Sequence, residues 1–219
     1  MGDETMRGLF SLDSGFMQGL NRFADLVLLN VLFVVTSLPV ITLGASLTAM
    51  YTVCFRFNED WEEGVCKTYF RAFRRNFRQA TVIWVVVALL LVLALGDVII
   101  SMAQPGWARY LMVVFGFIGL TAGMLGSMVF PLLSRFDNTV KKTLKNALLL
   151  AFGYAPHTLV LTVLNAAPAV GFLLYPEVFM QLAVLWFMFY YAAVAYLGSK
   201  LLKKPFAKLV PAPPADTEA

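Results

Sequence analysis

Cys66–Trp84, CKTYFRAFRRNFRQATVIW, decides how the whole chain is read. As a helix it places Lys67, Arg71, Arg74, Arg75 and Arg78 on one side. Phe70, Phe73 and Phe77, spaced three and four apart, fall on another. That pattern predicts a basic, amphipathic helix at a membrane surface, suited to binding a partner or anionic lipid. The run continues without glycine or proline into TVIWVVVALLLVLALG, which carries no charge before Asp97, so the surface helix is expected to bend into a spanning one.

The rest of the chain suits this anchor. Of 219 residues 60% are hydrophobic and only 14% charged, and the mean hydropathy is +0.76. A soluble domain does not have that composition, and a multi-spanning membrane protein does. At about twenty residues per span the length accommodates roughly five to seven helices and no separate soluble domain. The net charge of +4 follows from the bias of basic residues to the cytoplasmic side, so no nucleic-acid partner is expected. The N-terminus carries Asp3 and Glu4 and lacks the apolar core of a signal peptide. Two cysteines, Cys54 and Cys66, with a single histidine predict reduced thiols, no metal site and no cofactor.

The expected fold is all-α: a polytopic transmembrane bundle of about six segments arranged as three hairpins, with amphipathic interfacial helices. Residues 1–23 read as an N-terminal interfacial segment. Residues 24–199 form the transmembrane domain, with spans near 24–38, 43–57, 80–101, 110–133, 147–174 and 178–199. Residues 200–219 form a basic tail whose last ten residues are expected to be disordered. The stretch 24–57 is too long for one span and short for two. Pro39 removes a backbone donor and disfavours helix at Leu38, while Gly44 permits a turn or close packing. The expectation is a tight hairpin, or else one long kinked helix and five spans. Pro156, with Pro168, marks a second break.

With six spans, every Lys and Arg except Arg109 falls on one side, which is expected to place both termini in the cytoplasm. Two apolar helices end alike, at Arg56-Phe57-Asn58 and Arg135-Phe136-Asp137, each before a polar loop and a basic segment. An internal duplication and chance both account for this.

The polar points inside the spans are Asn30, Asp97, His157 and Asn165. Together they define a possible polar path, because an ionisable or polar group at membrane depth is a functional hypothesis by default. The simpler accounts are a hydrated cap for Asp97, about a turn from the outer interface, and interhelical hydrogen bonds for the others. Gly119-Leu-Thr-Ala-Gly123 lets helices approach closely, within the chain or between copies. The chain has no phosphate loop, H-E-x-x-H, G-x-S-x-G or C-x-x-C, so no catalytic residue is assigned and an enzyme is not expected.

Asn21, Asp25, Leu29-Asn30, the turn Ser37 to Gly44, Ala49-Met50-Tyr51, Phe70 and the segment Phe73 to Gln79 together resemble the YesL family, bacterial integral membrane proteins classed as a domain of unknown function. The resemblance is specific over the first half of the chain. It brings no catalytic or ligand-binding residues. It implies a setting: members occur beside bacterial carbohydrate ABC importers, solute-binding proteins and sensor kinases. The expected role is an accessory or regulatory subunit of sugar uptake or its sensing, with membrane lipids and an ABC importer or sensor kinase as partners. The E-A-A-x-x-x-G loop of ABC permeases is absent from the sequence. The alternative is a small secondary transporter or channel. The oligomeric state is not legible.

Overall fold

The computed structural model describes residues 15–57, 63–103, 106 and 108–209. Most of the expected N-terminal segment, the acidic run 58–62, Pro105, Trp107 and the tail from 210 lie outside the described residues. Every regular element among the described residues is helical. Helix α1 is Gly15–Ser37, a 3-10 turn Val40–Thr42 follows, and α2 is Leu43–Arg56. Helix α3 is Val65–Ala103, α4 Ala108–Arg135, α5 Val140–Gly153 and α6 Ala155–Leu174. A short α7, Pro176–Gln181, leads to α8, Ala183–Leu201, and α9, Lys203–Ala207. Five of these are long and apolar enough to cross a membrane: Gly19–Ser37, Val65–Met102, Tyr110–Arg135, Ala155–Leu174 and Ala183–Leu201.

The break at Leu38-Pro39 gives two helices and not one kinked helix. They fold back as a hairpin: Arg22, near the start of α1, lies with Cζ 4.5 Å from the ring centroid of Phe57, just past the end of α2. Thr36 Oγ1, Ser46 Oγ and the Tyr69 hydroxyl form a knot, at 2.9 and 2.6 Å, that ties α1 to α2 and α3. The turn exposes Leu38 and Val40, 74% and 68% accessible.

The expected second span is instead a short, enclosed helix. Fourteen residues make α2 about 21 Å long, less than the roughly 30 Å of a hydrocarbon core. Only Leu43, Leu47 and Arg56 of α2 escape full burial. Two of its hydroxyls are satisfied within the helix: Thr48 donates to the Gly44 carbonyl and Thr52 to that of Thr48, both at 2.9 Å. Gly44 serves close packing, not a turn: a Cβ there would stand 2.6 Å from the Ala80 carbonyl oxygen and 2.7 Å from Trp84 Cβ.

Helix α3 joins the basic segment to the apolar run in one helix of 39 residues, about 58 Å, with no interruption between Arg78 and Val82. Its first half packs on α2 through Val65, Tyr69, Ala72, Asn76 and Ala80. Its second half packs on α4, where Gly119 and Gly126 admit Ala94 and Val87. Gly123 of the same small-residue stripe faces Thr162 of α6, so the stripe is used within the chain. The hairpin turn reaches only to Trp84, whose Nε1–H donates to the Val40 carbonyl at 2.7 Å. About 27 Å of α3 therefore continues beyond the hairpin.

The stretch 147–174 is not one span. It divides at Gly153-Tyr154 into the amphipathic α5, with Lys141, Lys142 and Lys145 exposed, and α6. Pro156 sits in the first turn of α6, where its missing N–H costs nothing, so it starts a helix and does not kink one. The last span begins at Ala183, after α7, and not at 178. Within the expected tail, α9 buries Phe206 against Phe55 and Phe136.

Candidate functional site

The outward face of the first half of α3 gathers the exposed charge. At 3.6 residues per turn, Lys67, Arg71, Arg74, Arg75 and Arg78 form one strip, and Phe70, Phe73 and Phe77 the strip beside it. The helix opposite both strips is buried on α2, which fixes their direction. Phe70 and Phe77 remain 42% and 38% accessible, unusual for aromatics on a cationic face unless something apolar lies nearby. Tyr69 stacks on Phe73 and Phe73 meets Phe77 at a tilt, with centroids 6.4 and 5.4 Å apart.

Two shallow, open depressions lie on this face. One, of about 560 Å³, is lined by Cys66, Lys67, Phe70, Arg71 and Arg74. The other, of about 390 Å³, is lined by Phe73, Arg74, Arg75, Phe77 and Arg78. They differ electrostatically. Arg71 Nη1 donates to both Glu63 oxygens, at 2.9 and 2.8 Å, and Arg56 approaches the same carboxylate at 3.4 Å. The Arg71 guanidinium holds the Glu63 carboxyl below its ordinary value of 4.5. The first depression is thus partly neutralised from within. Arg74, Arg75 and Arg78 have no carboxylate partner among the described residues.

The four points of the proposed polar path sit in different surroundings, and none hydrogen-bonds another. Asn30, on α1, is fully buried and spends its side chain on the backbone of α8. Residues Trp186–Tyr190 form a π-helical turn, which takes backbone groups out of the α ladder. Asn30 Nδ2 donates to the carbonyls of Phe187 at 2.8 Å and Trp186 at 3.4 Å, and its Oδ1 accepts from the Ala192 N–H at 2.8 Å. Asn165, in mid-α6, donates to Ser127 Oγ at 3.3 Å, and Thr162 donates to the same oxygen at 3.2 Å. Asp97 is half-buried near the far end of α3, and His157 is exposed in the first turns of α6 beside Tyr154. No three His, Cys, Asp or Glu side chains converge among the described residues.

Sequence reasoning missed two residues of consequence. Glu63 lay in an acidic run with no means of telling which carboxylate turns back to α3. Tyr51 lies at the centre of the bundle, against Gly198 and Leu161, and nothing in Ala49-Met50-Tyr51 distinguishes it from an interfacial tyrosine.

Five long apolar helices and a short buried sixth, with a cationic helix face continuous with a span, define the class: an all-α, multi-pass membrane protein. The chain belongs to the YesL-like family of proteins of unknown function. The family model described as "Protein of unknown function, DUF624" matches residues 26–98, from α1 through the basic face and most of the span of α3. The uncharacterized protein YesL of Bacillus subtilis (strain 168) is 31% identical over 169 residues, which cover 71% of this chain and 75% of that protein. No solved structure matches.

Proposed function

We propose that this chain is a non-catalytic integral membrane protein that acts by association, as an accessory or regulatory subunit of carbohydrate ABC uptake or its sensing. The observation that carries the reading is the cationic face of α3, where Arg74, Arg75 and Arg78 have no carboxylate partner among the described residues. Charges fixed on one face of a packed helix are placed to bind something, and the family's genomic setting supplies the sugar-uptake context. The bias of basic residues supports a bacterial plasma-membrane location with both termini cytoplasmic. The experiment is mild-detergent affinity purification of the tagged protein from its native membrane, beside a variant with Arg71, Arg74, Arg75 and Arg78 changed to Gln. Co-recovery of an ABC importer or sensor kinase that is lost in the variant is the expected result. Recovery of the protein alone in both would sink the reading.

A second reading is a small secondary transporter or channel. Its support is the hydrogen-bonded group Asn165, Ser127 and Thr162, which gives the bundle a polar patch in mid-span. It calls for solute flux in liposomes that falls in Asn165→Ala.

A further inference from the structure

We infer that the depression lined by Phe73, Arg74, Arg75, Phe77 and Arg78 binds the phosphate of an anionic phospholipid, so that the first half of α3 is clamped to the headgroup layer of one leaflet. This rests on the association reading above and names what occupies one half of the face.

Three observations favour lipid over a protein. First, height: α3 has no break, and the last arginine, Arg78, lies one turn before Val82, which is exposed and begins the apolar run. The guanidinium groups of Arg74, Arg75 and Arg78 are therefore held beside the point where the helix passes into hydrocarbon, which is the level of phosphodiester groups. Second, Phe73 and Phe77 line the depression together with the arginines, so apolar rings stand beside the charges, as on an amphipathic surface that takes up an amphipathic molecule. Third, the depression is open and of about 390 Å³, which suits a headgroup lying on a surface better than a buried protein side chain. The neighbouring depression is the weaker lipid site, because Glu63 already occupies Arg71.

Arginine is suited to the task, since its planar fork meets two phosphate oxygens at once. Each basic side chain near an anionic leaflet strengthens binding by several-fold, so removing three is expected to weaken lipid retention by tenfold or more.

The test uses the full chain in nanodiscs of phosphatidylcholine alone and of phosphatidylcholine with phosphatidylglycerol. Retained lipid is counted by native mass spectrometry, and amide exchange is followed over residues 65–79. Three variants are compared: Arg74→Gln with Arg75→Gln and Arg78→Gln; the same three changed to Lys; and Lys141→Gln with Lys142→Gln and Lys145→Gln, which removes equal charge from α5. The expected result is phosphatidylglycerol retained by wild type, protection of 65–79 only when it is present, a tenfold loss in the Arg-to-Gln variant, partial loss in the Arg-to-Lys variant, and little change in the α5 variant. Equal loss in the α5 variant overturns the inference, because the attraction is then diffuse. Protection reproduced by inorganic phosphate in phosphatidylcholine discs also overturns it, in favour of a free anion. If an importer or kinase is released by the Arg-to-Gln change while phosphatidylglycerol retention is unaffected, the lipid inference fails and the association reading stands. If lipid retention behaves as expected and no partner is ever recovered, the lipid inference stands and that reading fails.

Discussion

A methyl group at Gly44 has nowhere to go, because the atoms it meets are a backbone carbonyl oxygen of α3 and the Cβ of Trp84, at 2.6 and 2.7 Å. Neither can rotate away. Gly44→Ala should therefore lower stability by roughly 1–3 kcal/mol, the range for overpacking a tight contact. Thermal unfolding in detergent measures it. Gly19→Ala is the control: a Cβ there meets nothing within 4 Å, and the change should stabilise α1 by about 0.5–1 kcal/mol through helix propensity. Glu63 gives a prediction in pH. Its carboxyl is held below 4.5 by Arg71, so the ionised form is favoured by folding. The stabilisation is present above the unfolded value and is lost as pH falls through the lower, folded one. Carboxyl chemical shifts should place the Glu63 midpoint below 4.5, and Arg71→Gln should raise it.

At the scale of elements, the π-turn of α8 and the amide of Asn30 form one unit. Asn30→Ala leaves the Ala192 N–H and the Phe187 carbonyl without that partner inside the bundle, at a cost of roughly 1–3 kcal/mol. A π-turn is one extra residue in an α-helix. Deleting Met188 should restore the α ladder, and Asn30→Ala should then cost much less in that background; additive losses would show that the two features are independent. The sequence could not announce this unit, because Trp-Phe-Met-Phe-Tyr reads as any apolar run, and Asn30 reads only as a polar residue in a span. The hairpin break was legible, because proline acts locally on the backbone at Leu38-Pro39. The division of α5 from α6 was legible in part: Pro156 marked a break, but Ala147 to Phe152 is as apolar as α6 itself, so hydropathy did not show that the break separates two helices at Gly153-Tyr154. The enclosure of α2 left a partial trace in Gly44, Ala45, Ser46 and Ala49, small residues on a helix that others approach closely.

For the whole molecule, the all-α multi-pass class and the basic face followed from composition and spacing alone, whereas six spans were expected and five helices are long enough to cross. Which helix lies inside the others did not follow from them, because it depends on contacts made far along the chain. The two thiols report on the result: Cys54 is buried and Cys66 exposed beside Lys67. An impermeant maleimide should label Cys66 and spare Cys54. Labelling only after the cell envelope is opened would put the basic end in the cytoplasm, whereas labelling in intact cells would reverse the assigned orientation. The enclosed α2 also sets an order of events at the ribosome. Asn30 finds the Ala192 N–H 162 positions later, and Cys54 meets Ser199 after 145. At about 5–20 residues per second, the early hairpin waits roughly 10–30 seconds for the helix that completes it. Thr48 and Thr52, satisfied within their own helix, can wait in lipid. The Asn30 amide cannot do so without exposing its donors, so its delayed pairing is the step of biogenesis most in need of an insertase or chaperone.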